Sequence, residues 1–217
     1  MLESKDMSTF DSNLIHPSAV IDPGVIIGSG NIIGAFARIF QNTVIGDDNF
    51  IGAGVTIGAY PEHRSVNHLD ENSFLELPGV HIGSKVVIRE YVQIHQGLAK
   101  TTRIGDGAFI MNQTYIAHDC EVGSEVVLAS SVLLAGNVSI GDQSNLGLGT
   151  KVHQGISLGR LVMIGMGSVV TRNVPDFAKA YGVPARIRGV NTVGMKRLGY
   201  PESEIDLASE LLFGKNT

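Results

Sequence analysis

Residues 104–170, IGDGAFIMNQTYIAHDCEVGSEVVLASSVLLAGNVSIGDQSNLGLGTKVHQGISLGRLVMIGMGSVV, carry an aliphatic side chain at every sixth position. The twelve anchors of this stretch are preceded by eight isoleucines at the same spacing in residues 15–57 and three more in residues 82–94. Because Ile, Val and Leu make up little more than a quarter of the chain, chance does not produce 23 anchors in this register. The sequence is therefore a repeat of six residues.

A period of six fits one short strand followed by one turn, with the aliphatic anchor pointing inward. A glycine often follows the anchor, as Gly105 follows Ile104, and suits a tight corner. Three such units close one triangular coil, and successive coils stack through hydrogen bonds between strands. The pattern predicts an all-β solenoid of the parallel β-helix type, of between seven and eight coils.

Breaks in the period define the domain organisation. We expect a flexible N-terminus over residues 1–13, a β-helix domain over 14–174, and a C-terminal extension with a short helical cap over 175–217. Residues 59–79 interrupt the repeat for about 21 positions and are rich in charge and histidine. A loop of that length is usually functional or disordered. We interpret it as a flap beside a binding groove, with a passive insertion as the alternative.

Proline marks the end of the expected repeat. Pro175 and Pro184 disfavour further central strands, because proline has no backbone N–H to donate. Pro201 suits the start of a helix, whose apolar face would carry Ile205, Leu211 and Leu212.

Composition excludes several classes of protein. The net charge is −5, which argues against a nucleic-acid-binding protein, and the single cysteine excludes a disulfide framework and a multi-cysteine zinc site. No apolar run reaches the roughly 20 residues of a transmembrane helix, and the first 20 residues lack the apolar core of a secretory signal. A cytoplasmic protein is the resulting expectation. Residues 160–200 carry a net charge of +6, which indicates either a solvated basic cap or a phosphate-binding end.

Four polar residues follow anchors that the coil geometry places on one face. They lie near one corner in four successive coils: His95, His118, Asn137 and His153. Metal ligands must lie about 2 Å from one ion, closer together than residues spread over three coil spacings. We therefore predict no metal site. His118 is expected to be catalytic, and His95 and His153 are expected either to line a substrate groove or to be inert.

Four strings make the chain resemble the UDP-N-acetylglucosamine O-acyltransferases of lipid A synthesis, over residues 15–200. They are IAHDC (116–120), LASSVLLAGNVSIGD (128–142), KVHQG (151–155) and GVNTVGMKRLGY (189–200). The resemblance implies a left-handed β-helix that forms a homotrimer, with active sites in the clefts between subunits. It also implies a nucleotide-sugar acceptor and an acyl carrier protein or coenzyme A thioester as donor, with no permanently bound cofactor.

The resemblance assigns roles to three residues of the expected catalytic site. His118 matches the general base that deprotonates the acceptor hydroxyl, Asp119 matches the acid that assists it, and the backbone N–H of Gly136 matches a donor to the oxyanion. A neutral imidazole can accept that proton near neutral pH. Since Asp119 is the sequence neighbour of His118, the two side chains can meet only if the chain turns a corner between them.

The chain also departs from the family pattern. Tyr115 and Asn137 replace histidines, Val193 replaces an acid, Leu198 replaces an arginine, and the flap text Glu62–Ser65 does not match the family's sugar-binding stretch. Acceptor recognition is therefore expected to differ. The resemblance and the four polar residues at the predicted corner together give the expected substrate-binding residues, which are His95, Tyr115, Asn137, His153, Gln154, Asn191 and Arg197.

Met166 occupies the position that measures acyl length in the family. A long side chain there shortens the groove, and each buried methylene is worth about 0.8 kcal/mol. We expect a short or medium 3-hydroxyacyl chain. The string YGVPAR (181–186) resembles a segment of hexapeptide acetyltransferases and leaves open an acyl-CoA-dependent N-acyltransferase of amino sugars for O-antigen or capsule. A non-catalytic scaffold or a protein like the γ-class carbonic anhydrases is the third alternative.

Overall fold

The computed structural model describes residues 12–214, and 23 short strands within them form a parallel β-helix. A hairpin and two helices follow. In chain order the strands are β1 (Leu14–Ile15), β2 (Val20–Ile21), β3 (Ile26–Ile27), β4 (Ile32–Ile33), β5 (Arg38–Ile39), β6 (Thr43–Ile45), β7 (Phe50–Ile51), β8 (Thr56–Ala59), β9 (Val80–Ile82), β10 (Val87–Ile88), β11 (Gln93–His95), β12 (Thr102–Ile104), β13 (Phe109–Ile110), β14 (Tyr115–Ile116), β15 (Glu121–Val122), β16 (Val127–Leu128), β17 (Leu133–Leu134), β18 (Ser139–Ile140), β19 (Asn145–Leu146), β20 (Lys151–Val152), β21 (Ser157–Leu158), β22 (Met163–Ile164), β23 (Val169–Val170), β24 (Ala178–Gly182) and β25 (Ala185–Val190).

Every third strand joins the same sheet, so the coils have three faces. Face A contains β1, β4, β7, β10, β13, β16, β19, β22, β24 and β25; face B contains β2, β5, β8, β11, β14, β17, β20 and β23; face C contains β3, β6, β9, β12, β15, β18 and β21. Neighbouring strands of β1–β23 pair in parallel with anchor opposite anchor, as Ile116 pairs with Leu134. The predicted solenoid and its register are confirmed.

The anchors form the core that the period predicts. Each of the 23 lies in its own strand with its side chain inside the prism, and most are almost fully buried. The glycine after an anchor is required by the stacking: a Cβ on Gly105 would lie 2.6 Å from the backbone nitrogen of Ser124 in the next coil. The aspartate that often follows it is also structural, since Asp142 Oδ1 accepts the Ser124 N–H at 2.8 Å.

A ladder of asparagines closes the first coils from inside. Asn13 Oδ1 accepts the Asn31 N–H at 2.7 Å, Asn31 Oδ1 accepts the Asn49 N–H at 2.9 Å, and Asn49 Oδ1 accepts the Val86 N–H at 2.7 Å. The flexible N-terminus expected over 1–13 falls mostly on residues 1–11, outside the described residues. At its end Asn13 is already buried in the first coil.

Both long departures from the period occur at one corner, the B–C corner, where the chain passes from face B to face C. The flap (residues 59–79) connects β8 to β9 and contains one 3-10 helix, Glu71–Phe74. A second, shorter break, in which Ile94 and Ile104 are ten rather than six residues apart, is called the second slip. Its extra residues lie in residues 96–101, between β11 and β12. His118, Gly136 and His153 stand at the same corner in the next coils.

Two strands that the sequence analysis did not predict follow the coils in the C-terminal extension. β24 pairs in parallel with β22 and β25 pairs antiparallel with β24, which extends face A. Pro175 precedes β24 and Pro184 lies in the turn of the hairpin, so neither occupies a position that must donate to the ladder. Helix α1 (Thr192–Arg197) and helix α2 (Glu202–Phe213) follow.

The helical cap packs a second, small core against the last coil. Met195 of α1 and Ile205 and Ala208 of α2 are buried with Leu161. Pro201 is the N-cap of α2 rather than its first helical residue. Leu211, expected on the apolar face, is 77% exposed.

Candidate active site

The B–C corner forms a cleft beside the ring of His118. Successive coils supply its wall, and the flap supplies one more side chain. The cleft has a volume of about 240 Å³ and is lined by His63, His118, Gly136, Asn137, Gln154 and Gly155. The structure thus brings four of the expected site residues together in one chain: His118, Gly136, Asn137 and Gln154.

His118 and Asp119 form a hydrogen-bonded pair although they are sequence neighbours. His118 Nδ1 lies 2.8 Å from Asp119 Oδ2, and the two side chains are 17% and 9% exposed. Asp119 has a φ of +62°, in the left-handed region. That backbone turn bends the carboxylate back toward the imidazole. The chain therefore turns a corner at Asp119, as a contact between neighbouring side chains requires.

The carboxylate of Asp119 is fixed by the backbone of the previous coil. Its Oδ1 accepts the N–H groups of Leu98, Ala99 and Lys100, each at 2.9 Å. Burial raises the pKa of Asp119, but the hydrogen bonds from Lys100, His118, Ala99 and Leu98 together outweigh it and hold the pKa below its ordinary value. Asp119 is therefore an ionised acceptor at neutral pH.

The three N–H groups of Leu98, Ala99 and Lys100 form a cradle for the Asp119 carboxylate, and this cradle explains the second slip. The extra residues in 96–101 allow three consecutive N–H groups to point at one carboxylate oxygen. Gly97 is needed there, because a Cβ would collide with the Lys100 carbonyl and lie 3.3 Å from Asp119 Oδ1. The sequence shows the slip in the spacing of Ile94 and Ile104 but does not reveal its role. The one available signal was its place, one coil before IAHDC.

The pair fixes which nitrogen of His118 can act as a base. An ionised carboxylate only accepts hydrogen bonds, so Nδ1 carries the proton and donates it to Asp119. Nε2 is then the nitrogen with a free lone pair. The ring edge bearing Nε2 faces Gly136, where an added Cβ would lie 2.7 Å from both Nε2 and Cε1. Only glycine leaves room for this ring position.

Tyr115 and the flap are joined by a hydrogen bond. The Tyr115 hydroxyl donates to Glu62 Oε2 at 2.7 Å. Burial, and next the contact with Glu62, raise the pKa of Tyr115 well above its ordinary value, so this hydroxyl remains protonated and a donor. The adjacent flap residue, His63, lies edge-on to His118 with 5.6 Å between ring centroids.

Two of the three histidines expected at this corner, His95 and His153, do not line the cleft. His95 is 5% exposed, and its Nδ1 donates to the Tyr60 carbonyl at 2.7 Å beneath the base of the flap. His153 is exposed at the corner, with Nδ1 3.1 Å from the Gln154 carbonyl. The flap covers His95, and His153 stands outside the cleft of the single chain.

Asn191 and Arg197 lie in a second cavity of about 510 Å³, beside face A and α1. Lys179, Val193 and Leu198 also line it. Asn191 is the N-cap of α1: its Oδ1 accepts the Gly194 N–H at 3.1 Å and its Nδ2 donates to the Leu161 carbonyl at 2.9 Å. Within one chain this cavity does not include His118.

Met166 stands at the corner between faces A and B and is 74% exposed. It does not reach the His118 cleft, which lies at the B–C corner. Across residues 12–214, no group of three or more His, Cys, Asp or Glu side chains is placed to hold a metal ion. In the same described part of the chain, neither helix is long and apolar enough to span a bilayer.

Comparison with known proteins identifies the family. A family model described as bacterial transferase hexapeptide (six repeats) matches residues 8–41 and 101–136, and a model of the hexapeptide repeat of succinyl-transferase matches 137–172. The acyl-[acyl-carrier-protein]–UDP-N-acetylglucosamine O-acyltransferase of Campylobacter lari is 40% identical over 218 residues, which cover 90% of this chain and 80% of the relative. The protein of that name from Campylobacter concisus is 36% identical over 84% of this chain and 76% of its own length.

The chain belongs to the UDP-N-acetylglucosamine O-acyltransferase family. It is an acyltransferase, as the sequence predicts. Solved members of the family share its fold. The UDP-N-acetylglucosamine acyltransferase from Campylobacter jejuni matches with a TM-score of 0.82 and 33% identity over 94% of this chain and 86% of its own. The protein from Acinetobacter baumannii matches over the same shares with a TM-score of 0.82 and 30% identity.

Proposed function

We propose that this chain transfers an acyl group from an acyl carrier protein thioester to a hydroxyl of a nucleotide-linked sugar, in lipid A synthesis, with His118 as general base. The observation that carries the proposal is the 2.8 Å contact between His118 Nδ1 and Asp119, which leaves Nε2 as a proton acceptor in the cleft. The names of the relatives supply the donor and acceptor classes.

The chemistry follows from the tautomer. His118 Nε2 takes the proton of the sugar hydroxyl while the hydroxyl oxygen attacks the thioester carbonyl and a carbon–oxygen bond forms. Asp119 stabilises the imidazolium that results. The oxyanion of the intermediate accepts a hydrogen bond from the Gly136 N–H, which makes no hydrogen bond to another protein group within residues 12–214. Collapse of the intermediate breaks the carbon–sulfur bond, and the proton on Nε2 passes to the leaving thiolate.

The nucleotide half of the acceptor is assigned to the second cavity. Lys179, Arg197 and the α1 N-cap Asn191 line it. The two cationic side chains suit a diphosphate. Since the His118 cleft and this cavity are separate in one chain, we assign them to neighbouring chains of a homotrimer. His153, exposed at the B–C corner, would then face the groove between chains.

Face A is the surface that supports the homotrimer. From β1 to β22 its outward positions are occupied by seven apolar side chains and one asparagine: Leu14, Ile32, Phe50, Val87, Phe109, Val127, Asn145 and Met163. Faces B and C carry charged side chains at the equivalent positions, such as Lys151 and Arg103. A long apolar stripe on a water-exposed sheet is typical of a subunit interface.

Acyl length is assigned to Met166. Its exposure at the A–B corner leaves the side chain free to close a groove formed with a neighbouring chain. A short or medium 3-hydroxyacyl group is the expected cargo, because the thioether occupies the space of additional methylenes.

The test compares the wild-type protein with His118→Ala. The acceptors are UDP-N-acetylglucosamine and nucleotide-linked amino sugars, and the donors are a panel of 3-hydroxyacyl carrier proteins and acyl-CoA thioesters. We expect transfer from the carrier protein, and a loss in kcat of about 10²- to 10⁴-fold in the variant with an unchanged circular dichroism spectrum. Undiminished turnover would remove His118 as the base. Transfer only to amino sugars, or only from acyl-CoA, would replace the proposed reaction with N-acylation or CoA-dependent transfer.

A further inference from the structure

His63 of the flap is the one side chain of the cleft wall that comes from outside the regular coils. We propose that His63 positions the acceptor: its Nε2–H donates a hydrogen bond to the hydroxyl whose proton His118 removes. This inference rests on the proposed function and adds a residue for which the family pattern supplies no match.

The protonation of His63 follows from its contacts. Its Nδ1 accepts the backbone N–H of Ser65 at 3.2 Å, and the Ser65 hydroxyl lies 2.7 Å from the same nitrogen. A backbone N–H can only donate, so Nδ1 must have its lone pair available. In the neutral ring the proton therefore resides on Nε2, which makes no hydrogen bond to another group of residues 12–214.

The two imidazoles of the cleft thus have opposite roles. His118 presents an acceptor at Nε2, because Asp119 holds the proton on Nδ1. His63 presents a donor at Nε2, because Ser65 holds Nδ1 as an acceptor. Their rings lie at 78° with centroids 5.6 Å apart in the same cleft. A hydroxyl group within hydrogen-bond distance of both Nε2 atoms can donate its proton to His118 and accept a hydrogen bond from His63. Its oxygen then keeps a lone pair for attack.

The flap is fixed well enough to hold His63 there. At its base the Tyr60 ring stacks on Phe74 with 3.5 Å between centroids, and His95 donates to the Tyr60 carbonyl. Asn42 Nδ2 reaches the carbonyls of Phe74, Leu75 and Leu77 at 3.3 to 3.4 Å.

A further hydrogen bond acts next to His63 itself. Tyr115 donates to Glu62 at 2.7 Å, and Glu62 immediately precedes His63 in the chain. Tyr115 stands three residues before His118, so this bond ties the flap to the strand that leads to the base. We assign Tyr115 and Glu62 as positioning residues that act through His63.

The experiment measures the Kd and kcat of the full-length protein with UDP-N-acetylglucosamine, and the Kd of the analogue that lacks the acylated hydroxyl. His63→Ala should weaken binding of the sugar nucleotide about 3- to 10-fold and lower kcat, which matches loss of one hydrogen bond. His63→Gln, which retains an N–H donor, should recover most of the loss. Binding of the deoxy analogue should be the same in the wild type and in His63→Ala.

Two further variants complete the test. Tyr115→Phe should give part of the His63→Ala effect, and His68→Ala, on the same flap but outside the cleft, should give none. An equal loss with the deoxy analogue, or no loss with the full acceptor, overturns the proposal for His63. If His118→Ala lowers kcat by about 10²- to 10⁴-fold, the proposed function stands whatever the result for His63. If His118→Ala transfers at the wild-type rate, the proposed role of His118 as the base fails, and with it the basis of the proposal for His63.

Discussion

Asp119 Oδ1 accepts the backbone N–H of Lys100 at 2.9 Å, across 19 residues of sequence and one coil of the β-helix. With Leu98 and Ala99 making the same contact, one carboxylate oxygen is fully occupied and the other is left for His118. The orientation of the proposed base is therefore set by the backbone of the neighbouring coil rather than by side chains alone.

Replacement of Asp119 by Asn tests this orientation. Asn has nearly the same shape, and its oxygen can accept the three backbone N–H groups that Asp119 accepts. Its amide nitrogen then faces His118 and donates a hydrogen bond to Nδ1. His118 would then lose the tautomer that has its lone pair at Nε2. We expect kcat to fall about 10²- to 10⁴-fold with little change in KM for the acceptor, measured by steady-state transfer. Thr171→Val, at the same corner but outside the cleft, is the control.

The same carboxylate predicts a pH dependence of stability. The pKa of Asp119 is lower in the folded chain than its unfolded value of about 3.9. Its contribution to the free energy of unfolding is thus fully present above about pH 4 and is lost as the pH falls through the lower, folded pKa. Thermal unfolding should show a steeper decline of Tm below about pH 4 in the wild type than in Asp119→Asn. Parallel curves would contradict this.

Gly136→Ala should displace His118, the proposed base. The new Cβ would lie 2.7 Å from His118 Nε2, and His118 would have to move from its place beside Asp119. Because the N–H of Gly136 is also the proposed oxyanion donor, we expect a loss in kcat of at least 10²-fold. Gly155→Ala is the comparison within the same cleft. An added Cβ there meets no atom within 4 Å, although the φ of +69° strains any residue other than glycine. A crystal structure of Gly136→Ala with an unmoved His118 would refute the steric argument.

Met166→Gly should lengthen the preferred acyl chain. The side chain is 74% exposed, so its removal should change the Tm of the isolated chain only slightly, whereas a groove formed with a neighbouring chain would gain room for several methylenes. Competition between 3-hydroxyacyl carrier proteins of different lengths measures the shift. An unchanged preference would assign acyl length to another residue.

Phe109→Glu places a charge in the middle of the apolar stripe on face A. If face A is the interface, burying that carboxylate costs several kcal/mol and the trimer should dissociate. Light scattering coupled to gel filtration measures the mass. Ser157→Glu, which adds the same charge on face C, should remain a trimer. Loss of transfer together with the loss of the trimer would support a site shared between chains.

The sequence predicted the coils well because their determinants are local. Each anchor such as Ile116 or Leu134 repeats the same inward position, and the register follows from the count alone. The contact between His118 and Asp119 could also be anticipated, because the period places a corner of the coil at these two residues. The resemblance then supplied the roles that remain to be tested.

The features that the sequence did not predict depend on backbone N–H groups and on contacts between residues far apart in the chain. The cradle around Asp119 is made of N–H donors, which every residue but proline has, so Leu98 and Ala99 carry no signal of their role. The burial of His95 beneath Tyr60 required knowing where the flap folds back. The hairpin of β24 and β25 was missed because Pro184 was counted against a strand, although it occupies a turn.

All irregular segments of the coil region stand at the B–C corner, while faces A, B and C keep their register above and below them. A change of length at this corner is absorbed locally, since the next anchor simply re-enters the stack. The architecture thereby separates a constant scaffold, which holds His118, from the segment between β8 and β9, whose length and sequence can change without shifting the register of the coils.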